Sequence, residues 1–243
     1  MKGLDYSSGR PDLKRVKALG YGFCIRYLFA PMPGGKGISK IEATAIRAAG
    51  LGLCVVYEEY AGRAKEGTAS GVADGHVALA FARAIGFPEN KPIYFAVDFN
   101  ATTAQLSVID LYLKGVASVI GLARVGVYGS YAVVEHCHSV GSAQWMWQTY
   151  AWSGGKVSPH AHLLQYLNGQ VVAGASVDLN ESRQLDFGSW EPVTVSVVVK
   201  PVVKPVVVAK PVVKPVVKLM TGAELMTMVK EHLAMVKNAL TKK

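Results

Sequence analysis

The chain has 243 residues, 51% of them hydrophobic, and carries a formal net charge of +9. This length suffices for one domain with a sizeable core plus an appendage. The charge is uneven, because residues 1–192 carry 17 Lys/Arg against 15 Asp/Glu, whereas residues 193–243 carry 9 Lys against 2 Glu. The first 192 residues are therefore excluded as a basic nucleic-acid-binding domain. No aromatic residue interleaves the lysines of the tail, so we expect no nucleic-acid partner there either.

Short apolar runs within residues 1–190 predict eight strands, and the amphipathic or Ala-rich segments between the earlier runs predict helices. The predicted strands are 2–5, 22–28, 52–58, 92–98, 124–129, 144–149, 162–167 and 175–179, and the predicted helices are roughly 10–19, 39–49, 70–86 and 102–121.

This alternation predicts a single α/β domain over residues 1–192, a (β/α)8 TIM-like barrel with parallel strands. Only about 10 residues separate the later strands, which is marginal for a crossover helix, so we expect thin or irregular cover on that side. The Pro- and Gly-rich segment 31–37 follows the second strand and is either one wall of a groove or a plain connector.

The composition changes at residue 193. Residues 193–218 repeat Lys-Pro between valines, which predicts an extended linker, because proline removes ladder donors and holds the chain extended. Residues 219–243 predict a short amphipathic C-terminal helix with capping-box spacing at its start. The apolar seam within 221–240 fits self-association, docking on the barrel, or contact with an anionic envelope surface through the nearby lysines.

Cys24, Cys54 and Cys137 form no CxxC spacing and predict buried free thiols of a protein made in the cytosol. The first residues lack the apolar region of a signal peptide, and no stretch reaches the ~18 uninterrupted apolar residues of a membrane span. We therefore expect synthesis in a host cytoplasm without a signal peptide, and no transmembrane segment. No metal-ligand motif, phosphate-binding loop or dinucleotide fingerprint occurs, so we expect no metal and no cofactor.

Four of the apolar runs are followed by carboxylates, namely Asp5, the pair Glu58 and Glu59, Asp98, and Asp178. Because parallel barrel strands end at one rim, we expect these acids to converge there. Carboxylates whose environments separate their pKa values hydrolyse glycosidic bonds, one as proton donor and another as nucleophile or stabiliser. Side chains alternate along a strand, so only one of Glu58 and Glu59 can face the axis.

Plain structural roles stay open for some of these acids. Asp5 could accept local backbone bonds in a turn, and Asp178 could cap an ending strand. Aromatic and amide side chains at the predicted strand ends suit a carbohydrate groove, because rings stack on apolar sugar faces and polar groups bond hydroxyl and N-acetyl groups. These candidates are Tyr27, Tyr128, Trp147, Gln148, Tyr150, Trp152, Gln165 and Tyr166.

Four motifs carry a family resemblance. They are GLDYS at 3–7, PIYFAVDFN at 92–100, VGVYGS at 125–130 and VDLN at 177–180. In this order and at barrel spacing they resemble a glycoside-hydrolase-like domain, which is similar to the family 25 lysozymes, the barrel-fold muramidases of phage and bacteria. The resemblance covers roughly residues 1–190.

The resemblance implies a role for individual residues. Asp5 matches the first-strand aspartate of the lysozymes, Asp98 matches the first acid of their fourth-strand Asp-x-Glu pair, and Asp178 matches the acid of the last strand. Asn100 stands where the lysozymes place the glutamate that acts as general acid. An amide cannot deliver that proton.

Three readings of this departure stay open. Either Glu58 or Glu59 is the acid, or Asp98 is itself the acid, or the domain binds glycan without cleaving it. In a substrate-assisted route, in which an N-acetyl group attacks, Asn100 could fill the orienting role.

The layout of barrel, repetitive linker and small basic module resembles a phage endolysin, which reaches the cell wall after a holin opens the membrane. The leading hypothesis is a bacteriolytic peptidoglycan hydrolase of lysozyme type that cuts β-1,4 bonds between amino sugars. Asp98 and Glu59 (or Glu58) would be the catalytic carboxylates, with Asp5 and Asp178 tuning charge and orienting substrate or water. The alternative is a non-catalytic wall-binding module multimerised by its C-terminal helix.

Overall fold

The computed structural model describes residues 1–31 and 34–192. Residues 32–33 of the Pro- and Gly-rich segment lie outside this part. So do the predicted linker at 193–218 and the predicted helix at 219–243, together with the self-association and envelope contact expected of that helix.

Eight strands form a closed barrel in sequence order, which confirms the predicted fold class. The strands are β1 (Lys2–Asp5), β2 (Phe23–Tyr27), β3 (Gly52–Tyr57), β4 (Ile93–Ala96), β5 (Val125–Gly129), β6 (Trp145–Thr149), β7 (Leu163–Val172) and β8 (Ala175–Ser182).

Within the described residues five α-helices accompany the strands. They are α1 (Leu13–Ala18), α2 (Lys40–Ala48), α3 (Thr68–Ile85), α4 (Thr103–Ile120) and α5 (Tyr131–Val140), and short 3-10 segments lie at Arg63–Glu66 and Leu122–Arg124. The first four helices agree with the predicted ones, and α5 is a helix that the sequence pattern did not predict.

Local signals define both ends of α5. The Ser130 hydroxyl accepts a hydrogen bond from the Val133 N–H at the start, and Gly141 adopts the left-handed conformation at the end. The thin cover expected on this side of the barrel is present between β6 and β7, where the loop 150–162 contains no helix.

The last strand runs against the expected direction. Strands β1 to β7 pair in parallel with their sequence neighbours, but β8 is antiparallel to both β7 and β1. Ala173 and Gly174, the two residues between β7 and β8, both have positive φ. Two such residues close a tight hairpin, and a parallel strand would need a crossover of a dozen residues. The prediction of eight parallel strands is therefore wrong for β8.

This reversal still brings Asp178 to the rim where β1 ends. Asp178 lies in the first half of β8, directly opposite Asp5 in the register of the two strands. The predicted strand 175–179 ends just after Asp178, whereas β8 continues to Ser182. The two acids are neighbours because an antiparallel strand enters the barrel at the rim that parallel strands leave.

The interior of the barrel is filled by alternate residues of each strand. Ile25, Val56, Tyr94 and Trp147 belong to one buried cluster, which Phe187 joins from beyond β8. The Tyr94 hydroxyl donates a hydrogen bond to the Phe187 carbonyl oxygen at 3.0 Å. Because side chains alternate, the next inward positions after Val56 on β3 and Ala96 on β4 are Glu58 and Asp98.

Helix α4 is long and apolar enough to cross a membrane by length and composition. In this structure it packs beside α3 as a barrel helix. It buries Ile109, Leu113 and Val116, and Gly115 lets it approach α3 closely, since a Cβ there would lie 2.3 Å from the Thr68 carbonyl oxygen. The apolar character of α4 is accounted for by this packing.

The three cysteines are buried free thiols, as predicted. Burial raises the pKa of Cys24 and of Cys137 to about 12, so both stay protonated at neutral pH. A protonated buried thiol is a poor nucleophile, and these residues act as small apolar side chains.

Candidate active site

A cavity of about 150 Å³ lies at the carboxyl ends of the parallel strands. This is the rim where barrel enzymes hold their active sites, because the loops that follow the strands surround it. Its walls combine carboxylates, amides and aromatic rings, and its lining residues are Tyr27, Val56, Glu58, Ala96, Asp98, Tyr128, Trp147, Gln165, Asn168 and Asp178.

Asp5 is 2% exposed and is not among the residues that line the cavity. Its Oδ2 accepts hydrogen bonds from Asn180 Nδ2 at 2.7 Å and from Gln165 Nε2 at 2.9 Å. Burial, and secondarily the charge of Asp178, raise the pKa of Asp5 to about 7, against the two amide bonds and the charge of Arg26. Asp5 is thus a carboxyl group that exchanges its proton near neutral pH.

The two amides beside Asp5 are held in one orientation by further bonds. Gln165 Oε1 accepts from the Tyr128 hydroxyl and from Thr149 Oγ1, each at 2.9 Å. Asn180 Oδ1 accepts from the indole N–H of Trp147 at 2.9 Å. Both amide nitrogens are therefore directed at Asp5, and these bonds tie together five strands, β1 and β5 to β8.

Asp98 is half-buried in the cavity wall on the β4 side. Burial raises its pKa, the charges of Glu58 and Asp178 add to the rise, and the Lys36 ammonium opposes it. A carboxyl group with a raised pKa retains its proton at higher pH than an exposed one, which is the property that a general acid needs.

Glu58 stands beside Asp98 as one half of an ion pair. Lys36 Nζ lies 2.8 Å from Glu58 Oε2 and donates to the Glu58 carbonyl oxygen at 3.0 Å. The same ammonium lies 4.8 Å from the centroid of the Tyr27 ring. The segment 31–37 therefore contributes a cation to this site. The composition of this segment predicts a possible groove wall and does not single out Lys36.

Asp178 is half-buried on the opposite side of the cavity. Its Oδ1 accepts a hydrogen bond from the Gly169 N–H at 2.8 Å, and its Oδ2 is 3.5 Å from Gln165 Nε2. Burial raises its pKa, and the bond from Gly169 opposes the rise.

Besides Asp5, the predicted site residues Glu59, Asn100, Gln148 and Tyr150 are not among the residues that line the cavity. Glu59 is turned the other way from Glu58 and accepts a hydrogen bond from the Tyr57 hydroxyl at 2.7 Å. Asn100 is exposed and is not among the lining residues. The Gln148 amide donates to the Lys156 carbonyl at 2.8 Å and accepts from the Ser158 N–H at 2.7 Å, so it braces the loop after β6.

Tyr27, Tyr128 and Gln165 do line the cavity, as expected of substrate-binding candidates. Tyr150 lies on the loop after β6 and is 46% exposed. Asn180 was missed as a site residue, although it follows Asp178 by two positions and therefore lies on the same face of β8.

No cluster of three or more His, Cys, Asp or Glu side chains able to hold a metal ion is found within residues 1–31 and 34–192. The chemistry that the described side chains themselves support is proton transfer between carboxylates of different pKa, in a cavity walled by aromatic rings. Fold and cavity together define a glycoside-hydrolase-like barrel.

The chain belongs to the family described as Rv2525c-like, glycoside hydrolase-like domain, whose pattern matches residues 14–182. Rv2525c of Mycobacterium tuberculosis, named as a candidate peptidoglycan hydrolase, is 31% identical over 199 residues, 77% of this chain and 82% of that protein.

Solved structures agree with this assignment. Rv2525c in complex with L-tartrate aligns with a TM-score of 0.74 at 30% identity, over 78% of this chain and 98% of that one. A bacterial lysozyme from Streptomyces coelicolor aligns with a TM-score of 0.52 at 16% identity, over 76% of this chain and 92% of that one. The second likeness shows a shared fold alone.

The predicted localisation is wrong. Rv2525c is a Tat-secreted protein, which points to export and contradicts a leaderless protein that waits in a host cytoplasm for holin release. The prediction was wrong because the first residues of the sequence and three buried thiols do not determine the cellular compartment.

Proposed function

We propose that this protein is a peptidoglycan hydrolase that cleaves β-1,4 glycosidic bonds between amino sugars of the bacterial cell wall. The observation that carries the proposal is the placement of Glu58, Asp98 and Asp178 around one aromatic-walled cavity at the catalytic rim of the barrel. Membership in a glycoside hydrolase-like family supports the same bond type. The proposal concerns the bond that is cleaved and does not include a phage lysis role.

Asp98 is the proton donor in this proposal. It lines the cavity and its pKa is raised by burial and by two neighbouring carboxylates, so it carries a proton to the leaving oxygen. This assignment follows one of the readings left open by Asn100, which is exposed and outside the cavity lining.

Glu58 is the second carboxylate, because it lines the cavity together with Asp98 while Glu59 bonds with Tyr57. Its Oε2 lies 2.8 Å from the Lys36 ammonium, and as a carboxylate it stabilises a cationic sugar centre. Asp178 orients substrate or water from the opposite wall. Asp5 has no place in the cavity lining and acts through the amides of Gln165 and Asn180.

The test compares Asp98→Asn with wild type on purified bacterial walls, with the release of reducing ends as the readout. We expect a loss of at least about 100-fold, the usual contribution of a general acid. Glu59→Gln is the matched control, because its amide oxygen still accepts the Tyr57 bond, and we expect it to keep the wild-type rate. Full activity of Asp98→Asn would sink the assignment.

A second candidate is a wall-binding domain without hydrolysis, and Asn100 at the position of the lysozyme acid is the observation that favours it. This candidate predicts that wild-type protein sediments with bacterial walls and releases no reducing ends, and that Asp98→Asn sediments equally well.

A further inference from the structure

Two large aromatic side chains stand exposed on the loop that follows β6. Tyr150 is 46% exposed and Trp152 is 45% exposed. Among the described residues, neither ring stacks on another aromatic side chain or a cation. Their apolar faces are thus available to a ligand. Exposed apolar surface is unfavourable in water, and a sugar ring that stacks on these faces would cover it.

The backbone at Trp152 is held in a conformation that its side chain disfavours. Its φ is +56°, and elsewhere in the described chain this left-handed region is occupied by glycines, with Ala173 the other exception. A bulky residue there costs roughly 1–3 kcal/mol. The same loop has glycine at two other positions of positive φ, Gly154 and Gly155, whereas a tryptophan stands at 152.

Hydrogen bonds fix this strained turn. The buried Ser153 hydroxyl accepts from the Tyr131 N–H at 2.9 Å and donates to the Thr149 carbonyl at 2.5 Å, and the Ser153 N–H donates to the Tyr150 carbonyl at 3.2 Å. The turn cannot relax to a regular conformation without breaking these bonds.

The same turn is bonded to the acid cavity. Thr149 Oγ1, which accepts from the Ala151 N–H, donates to Gln165 Oε1, and the Tyr150 N–H donates to the Gln165 carbonyl at 2.8 Å. Gln165 lines the cavity and also bonds Asp5. The exposed rings are therefore carried on the cavity's own rim.

We infer that Trp152, assisted by Tyr150, forms a second sugar-binding site beside the cavity, for the apolar face of a neighbouring unit in a β-1,4-linked amino-sugar chain. The ring contributes stacking area, and the fixed turn presents it without loss of backbone freedom on binding. This inference rests on the proposed function, because the cavity and the aromatic platform formed by Tyr150 and Trp152 would hold successive sugar units of one glycan.

The test measures binding of the N-acetylglucosamine tetramer by calorimetry to wild type, Trp152→Gly and Trp152→Phe. We expect about a tenfold loss of affinity in Trp152→Gly and near wild-type affinity in Trp152→Phe, which keeps a stacking ring. Trp152→Gly relieves the left-handed strain, so its thermal midpoint is expected to equal or exceed that of wild type. Leu122→Ala, an equally exposed apolar position preceding β5 at the opposite end of the barrel, is the control.

Tetramer affinity that is unchanged in Trp152→Gly, or absent in wild type, overturns the platform. If Trp152→Gly binds the tetramer as well as wild type does and wild type hydrolyses walls, the proposed function stands and the platform is rejected. If wild type binds the tetramer through Trp152 but releases no reducing ends, the platform stands and the hydrolase proposal fails.

Discussion

At the scale of single residues, Asp5 shows how burial changes the chemistry of a carboxyl group. The sequence identified Asp5, but its amide partners Gln165 and Asn180 lie more than 150 positions away along the chain. No local pattern reports such a contact, since it exists only once the barrel has closed. The burial of Asp5 and its bonds to these two amides could therefore not be predicted.

The raised pKa of Asp5 has a consequence for stability. A folded-state pKa of about 7 lies above the ordinary value of 3.8, so the native state loses stability as pH rises through that interval. The asparagine side chain does not titrate in this pH range, and its carbonyl oxygen can still accept both amide hydrogen bonds. We expect Asp5→Asn to raise the free energy of unfolding by roughly 1–4 kcal/mol at pH 8 and to leave it nearly unchanged at pH 4.

Urea unfolding of both proteins at the two pH values measures this difference. A destabilised Asp5→Asn at pH 8, or a difference that does not depend on pH, would show that Asp5 is ionised in the native state at neutral pH.

The alternation rule succeeded at residue scale where a strand was involved. It predicted that only one of Glu58 and Glu59 faces the axis, and the structure places Glu58 in the cavity. Lys36 could not be predicted in the same way, because a loop has no fixed period and its approach to Glu58 depends on how the segment 31–37 folds back.

At the scale of elements, the hairpin between β7 and β8 sets the direction of the last strand. The short separation of the later strands predicts no crossover helix, which is correct between β7 and β8 and wrong between β5 and β6. It does not by itself indicate that β8 reverses. Helix α5 was missed for a related reason: the connection from β5 to β6 was treated as short although it holds a ten-residue helix.

The hairpin turn can be improved. Ala173 has φ +50° beside Gly174, and Asn-Gly is the sequence that such turns prefer. We expect Ala173→Asn to raise the free energy of unfolding by about 0.5–1 kcal/mol and Ala173→Val, with its β-branched side chain, to lower it by about 1–2 kcal/mol. Denaturant midpoints check both changes, and a lower midpoint for Ala173→Asn would contradict the turn geometry.

At the scale of the whole molecule, closure of the barrel is what turns scattered acids into a site. Apolar runs ending in carboxylates predicted the barrel and the rim at which Glu58, Asp98 and Asp178 lie, because the strand period is a local property. The bonds that join Asp5 to β7 and β8 depend on closure, as does the pairing of Asp5 with Asp178, and neither is readable from one segment.

The central claim is that this cavity breaks glycan β-1,4 bonds. Mass spectrometry of the material released from purified peptidoglycan tests it most directly. We predict fragments that end in a new reducing amino sugar from wild type and from Glu59→Gln, and none from Asp98→Asn. Release of peptides cut from intact glycan strands, or identical glycan fragments from Asp98→Asn, would contradict the account.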